Sequence, residues 1–86
     1  MKPVTVYTKT YCPYCTKAKR LLESKKIPFK EINLEEKDPA FLQDLFSKSG
    51  FKTVPQIFIG DDCIGGCDRL YELESLGKLD SLLQSS

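Results

Sequence analysis

The chain has 86 residues, 41% of them apolar and 29% charged, with a net charge of +1. That length suits a single domain built on one core, and the composition is that of a globular protein rather than a disordered or fibrous one. The near-neutral balance argues against nucleic acid as a partner, and no apolar run approaches the roughly 18 residues of a membrane span.

The charges are unevenly placed. Residues 1–26 hold seven Lys or Arg and one acid, whereas residues 27–86 hold six basic and eleven acidic residues. The basic part is either a solvated helix face or a positive local field that attracts anions and favours thiolate. The opening "MKPVTVYTK" lacks the apolar core of a secretory signal. The expected location is therefore cytoplasmic, where thiols stay reduced and a CxxC pair is more often catalytic or metal-binding than structural.

"VTVYT" (Val4 to Thr8) is rich in β-branched and aromatic residues and reads as a buried strand. Pro13 then sits where a helix can begin, and Cys15, Ala18, Leu21 and Leu22 recur at helical spacing, which leaves Cys12 at the cap. "IPFKEINL" (Ile27 to Leu34) reads as a second strand, although its apolar alternation slips between Phe29 and Ile32. Strand, helix, strand over this length is a βαβ unit with parallel strands.

Asp38 as N-cap, Pro39 at the first helical position and Gly50 as a stop bracket a second helix, with Phe41, Leu42, Leu45 and Phe46 on one face. Gln56 to Ile59, a turn at Gly60 to Asp62, and a short strand at Cys63 and Ile64 form an antiparallel hairpin. "GGCD" opens a third helix with Leu70, Tyr71, Leu73 and Leu76 as its apolar positions; after Gly77, residues Leu79, Leu82 and Leu83 form a last short helix. The predicted fold is α/β: a small mixed four-stranded sheet, made from the βαβ unit and the hairpin, flanked by helices.

The stretch "TYCPYCT" sets two thiols three positions apart. They are half of a metal site, a structural crosslink, or a pair that exchanges electrons. Exchange requires thiolate near neutral pH, and a free cysteine with a pKa of about 8.5 is mostly protonated there. At a helix N-terminus, unpaired N–H groups and the positive end of the macrodipole lower that value. This selects Cys12 as nucleophile; Cys15, one turn in on the apolar face, is placed to attack Cys12 once it is in a mixed disulfide. Lys9 and Lys19 add positive charge, no histidine exists to act as a base, and Tyr14 is either an aromatic wall beside the sulfur or a surface residue.

"YTKTYCPYC", "TVPQIFIG" and "IGGCD", in this order and spacing over nearly the whole chain, resemble the glutaredoxins of the dithiol, CPYC class. The resemblance implies a thioredoxin-like fold and glutathione-dependent thiol–disulfide oxidoreduction. In it Cys12 and Cys15 are catalytic, and glutathione is a co-substrate held by Lys9, Tyr14, Thr53, Val54, Pro55, Gly66, Cys67 and Asp68. Thr53-Val54-Pro55 matches the family's TVP turn, where the proline is cis and the backbone of Val54 pairs with the extended tripeptide. The N–H groups of Cys67 and Asp68 would hold the γ-glutamyl carboxylate and the Asp68 side chain the ammonium; Asp68 also reads as a simple N-cap, a role that need not exclude the first. Lys9, with Lys52 as a weaker candidate, would meet the glycyl carboxylate. Family members often carry a second acid after Asp68, where this chain has Arg69.

The expected partners are glutathione and glutathionylated or disulfide-bonded proteins, with no nucleic acid and no membrane, and a monomer is the expected state. No metal is expected. Zinc bound by Cys12, Cys15, Cys63 and Cys67 is disfavoured because 47 residues separate Cys15 from Cys63 and the second pair is spaced CxxxC. An iron–sulfur cluster shared between subunits is disfavoured by Pro13, which cluster-binding glutaredoxins usually lack. A thioredoxin would carry CGPC after a tryptophan, and neither is present; a binding module that merely stores the CxxC would reduce no disulfide. Cys63 reads as a small apolar strand residue and Cys67 as a secondary thiol near the bound peptide.

Overall fold

The computed structural model describes residues 2–50 and 52–84. Strand β1 (Val4–Thr8) leads into α1 (Pro13–Ser24) and β2 (Lys30–Asn33); a single 3-10 turn (Leu34–Glu36) precedes α2 (Pro39–Ser49), and β3 (Gln56–Ile59), β4 (Asp62–Gly65), α3 (Cys67–Ser75) and α4 (Leu79–Gln84) complete the chain. The strands form one sheet in the order β2-β1-β3-β4, with β1 parallel to β2, antiparallel to β3, and β3 antiparallel to β4. This is the small mixed four-stranded sheet that the element order predicts, in the thioredoxin-like arrangement that the resemblance implies.

The sheet buries both faces because its two central strands carry apolar residues on both. Val4, Val6, Ile57 and Ile59 pack with Ala18 and Leu22 of α1, Leu70 and Leu73 of α3, and Leu79 and Leu83 of α4. On the other face Phe58, Leu34 and Leu45 form a smaller cluster against α2, joined by half-buried Tyr7 and Phe41. The Tyr7 ring meets Phe58 edge-on at 5.3 Å between centroids. Lys25 clips the helices together at the surface, with Nζ 2.9 Å from Glu74 and 3.3 Å from Asp80; the Glu74 hydrogen bond is the main reason its pKa is raised.

Helix α2 is bounded as predicted: Asp38 accepts the Phe41 N–H at 2.9 Å, and Gly50 takes the left-handed conformation at φ 85°. Strand β2, by contrast, begins at Lys30 rather than Ile27. The intervening residues close α1 instead. Lys26 is left-handed at φ 58°, its N–H donates to the Glu23 carbonyl and that of Ile27 to the Leu22 carbonyl, and Pro28 has no N–H to offer a ladder. Ile27 still reaches the core, so the slip in alternation marks where the strand has not yet begun. Leu34, predicted in the strand, starts the 3-10 turn that Asn33 caps.

The second departure is Leu76, predicted on the buried face of α3 but 57% exposed. It ends the helix. Gly77 turns left-handed at φ 71°, and the Gly77 and Lys78 N–H groups return to the carbonyls of Glu74 and Leu73. Leu82, one of the three leucines that marked the last short helix, lies on the outer side of α4, while Leu79 and Leu83 are buried.

Leu70 is fully buried between α3 and the sheet, so Leu70→Ala is expected to lose about 2–5 kcal/mol of unfolding free energy through lost burial and a cavity. Leu76→Ala should stay within about 0.5 kcal/mol of the parent. Denaturant unfolding of both variants checks this, and comparable losses would contradict the placement of the two leucines.

Candidate active site

Proline at the first position of α1 fixes where that helix starts, and the residue before it becomes the cap. That residue is Cys12. Its sulfur accepts the Cys15 N–H at 3.1 Å, and its carbonyl accepts the Thr16 N–H at 3.1 Å. The first turn of α1 carries no acidic side chain to compete for the positive end of the helix dipole. Cys12 is half-buried whereas Cys15 is 2% exposed, so only the first sulfur is open to a partner. The two are joined as a disulfide with their Cα atoms 5.1 Å apart.

Cations contribute less to this site than the basic N-terminal part leads one to expect. Lys19 donates to both carboxylate oxygens of Glu31 at 3.1 Å, Lys17 lies 4.9 Å over the Tyr71 ring, and Lys25 is held by Glu74 and Asp80. Lys19 is therefore a brace between α1 and β2 rather than a charge devoted to the sulfur. Burial alone would raise the Glu31 pKa, but the bonds from Lys19 and the Thr8 hydroxyl outweigh it and lower the value.

Beside the pair runs a groove of about 360 Å³. Tyr14 comes from α1, Thr53, Val54 and Pro55 from the loop before β3, and Gly66, Cys67 and Asp68 from the start of α3, so seven residues predicted from separate motifs line one surface; Arg69 is its remaining wall. The Val54–Pro55 bond is cis. At Gly66 a Cβ would lie 3.3 Å from the Pro55 carbonyl oxygen, so the missing side chain is what lets α3 approach the loop. Asp68 is not the cap: Gly66 holds that position and offers no side-chain acceptor, leaving Asp68 in the first turn.

The remaining predicted residues fall elsewhere. Lys9 does not line the groove; it lies in the loop between β1 and Cys12, close enough to Glu35 to lower the latter's pKa, an effect led by hydrogen bonding from Thr10. Lys52 lines a separate depression with Pro39, Leu42 and Phe46 of the α2 region. A larger groove, about 600 Å³, lies over Tyr7, Phe41 and Phe58 and contains none of the predicted site residues. Cys67 is 5% exposed and part of the main core, and burial pushes its thiol up, against the pull of Lys17. Burial also raises Cys63, which packs beside the smaller cluster. Among the described residues no group of three or more His, Cys, Asp or Glu is placed to hold a metal ion, and no helix is long and apolar enough to cross a membrane.

Arg69 bonds to Glu72 one turn along α3, so part of its charge is spent within the helix. Glu31, Asn33 and Glu35 had no signal in the sequence: their partners Thr8 and Thr10 are 23 to 25 positions away and meet them only through the β1–β2 pairing.

A mixed sheet of this order with a CxxC disulfide at the N-terminus of its first helix defines a thiol–disulfide oxidoreductase of thioredoxin-like fold. A glutaredoxin family model matches residues 4–64. The chain is 49% identical over 85 residues to a glutaredoxin of Pseudomonas aeruginosa, covering 99% of this chain and all of the other, and 48% identical over 84 residues to glutaredoxin 3 of Escherichia coli K12, covering 98% and all respectively. The crystal structure of a buckwheat glutaredoxin–glutathione complex superposes with a TM-score of 0.87 at 37% identity, over 95% of this chain and 76% of that one. The chain belongs to the glutaredoxin family, and its activity is glutathione-dependent thiol–disulfide oxidoreduction.

Because the Pro55 carbonyl faces the missing Cβ of Gly66 at 3.3 Å, Gly66→Ala must displace the loop or the helix by a few tenths of an ångström. The variant is expected to fold but to lose roughly threefold to tenfold in kcat/KM for a glutathionylated peptide, since small misplacements are costly in a positioning site. Unchanged kinetics in that assay would show that the close approach does not shape the groove.

Proposed function

We propose that Cys12 is the nucleophile and that the groove beside it holds the glutathionyl moiety of the substrate. The observation that carries this reading is the Cys15 N–H donated into the Cys12 sulfur at the start of α1. A thiol with a pKa of about 8.5 is only about 3% ionised at pH 7, and each unit of depression corresponds to about 1.4 kcal/mol in favour of thiolate. A helix start supplies that preference through fixed N–H dipoles, with no base required.

In the monothiol route the Cys12 thiolate attacks the glutathione sulfur of a glutathionylated protein. A Cys12–glutathione disulfide forms and the protein leaves as thiolate. The thiolate of a second glutathione attacks that disulfide, glutathione disulfide departs, and Cys12 is restored. In the dithiol route Cys12 attacks a protein disulfide and releases one protein thiolate. Cys15 then attacks the Cys12 sulfur, releases the second, and closes the Cys12–Cys15 disulfide, which two glutathione molecules reduce.

For the tripeptide, the backbone of Val54 pairs with its extended chain, and Tyr14, Thr53 and Pro55 wall it in. The N–H groups of Cys67 and Asp68 receive the γ-glutamyl carboxylate, and the Asp68 carboxylate pairs with the ammonium. Lys9 attracts the glycyl carboxylate from the edge of the site. Arg69 replaces a second acid and biases the groove toward anionic groups flanking the substrate sulfur. The reading is completed by a monomer acting in a reducing compartment such as the cytoplasm, where a CxxC pair is more often catalytic than structural, on glutathionylated or disulfide-bonded proteins.

Cys12→Ser is expected to abolish both reactions. Cys15→Ser should retain reduction of a glutathionylated peptide while losing reduction of a protein disulfide. Steady-state assays with each substrate distinguish the roles, and survival of deglutathionylation in Cys12→Ser but not Cys15→Ser would reverse the assignment.

A further inference from the structure

The loop from Lys9 to Cys12 lies outside any strand or helix, yet it carries both the sulfur and a cation, Lys9. Its backbone N–H groups have no ladder to join, and each must find a partner or stay in water. Tyr11, at 96% exposure, contributes no packing that could fix it. What fixes it comes from the far end of β2. The Glu35 carboxylate accepts the Thr10 N–H at 2.6 Å. Asn33 supports both sides of that bond: its side-chain carbonyl accepts the Glu35 N–H at 2.9 Å, and its amide donates to the Thr10 hydroxyl at 3.3 Å. The three contacts close a ring between the cap of the 3-10 turn and the residue two positions before Cys12. One step earlier the Thr8 hydroxyl donates to Glu31 at 2.9 Å, so the loop is anchored where it leaves the sheet as well.

We propose that Glu35, supported by Asn33, is a positioning residue of the oxidoreductase reaction, holding the Lys9–Cys12 loop so that cation and sulfur meet glutathione in fixed register. The inference rests on the functional reading above. An ionised acceptor makes a shorter and stronger hydrogen bond than a neutral one, which suits a single contact that must order an exposed loop. The bond leaves only Tyr11 and Cys12 between the anchored Thr10 and Pro13 at the start of α1. Sulfur orientation is set by the helix; the placement of Lys9 and of the chain entering the cap is set by Glu35.

The test uses the full chain with Glu35→Ala and Glu35→Gln, reading Thr10 amide exchange by NMR and the kinetics of glutathionylated-peptide reduction. Glu35→Ala is expected to speed Thr10 exchange and to lower kcat/KM for glutathione about tenfold, mainly through KM, which is the scale of one lost charge-assisted bond. Glu35→Gln keeps an acceptor and should recover to within about threefold of the parent. Wild-type kinetics and Thr10 protection in Glu35→Ala would overturn the proposal. So would equal losses in both variants, which would place the effect in the charge alone. An inactive parent protein would instead sink the functional reading, with Thr10 exchange still deciding whether Glu35 holds the loop.

Discussion

One hydrogen bond, from the Cys15 backbone N–H to the Cys12 sulfur, joins the fold of this protein to its chemistry. It exists because Pro13 starts α1 one residue after Cys12, and because that helix is pinned by Ala18 and Leu22 against the sheet. The N–H dipoles at that helix start are already oriented, so under the proposed mechanism they need no reorganisation when charge appears on the sulfur. The same helical turn buries Cys15 and leaves Cys12 accessible, which gives two chemically identical side chains different exposure and underlies the roles proposed for them.

Around that bond the chain assembles a groove from segments that are remote in sequence. The loop at Thr53 to Pro55 leads into β3 and the start of α3 follows β4, so the β3–β4 hairpin brings Pro55 and Gly66 together. The antiparallel pairing of β3 with β1 then places both beside the helix that carries the sulfur. The acidic residues of the C-terminal part meet this basic region as structural partners. Glu31, Glu74 and Asp80 take up Lys19 and Lys25, so these two cations of the basic part brace α1 against β2 and the C-terminal helices.

Most of the fold was legible in the sequence because its boundaries are enforced locally: Pro13, Asp38, Pro39, Gly50 and Gly77 each act within one turn of their own position. The failures lie where the chain reverses. Ile27 and Leu76 follow the apolar pattern of their neighbours, but each belongs to the closing bonds of a helix, and periodicity carries no information about that. The cysteines and the groove-lining residues were visible as motifs with characteristic spacing. The Asn33–Glu35–Thr10 ring was not, since an acid in an acidic stretch has no distinguishing neighbour until β1 and β2 pair. Lys19 was misjudged for the same reason.

The central claim is that the start of α1 makes Cys12 a thiolate at neutral pH. Titration of the reduced protein by thiolate ultraviolet absorbance, with Cys12→Ser subtracted, measures it directly. The account predicts a midpoint within the range of about 3.5 to 7.5 seen for helix-capping and CxxC cysteines. A midpoint at or above the unperturbed value of about 8.5 would contradict it.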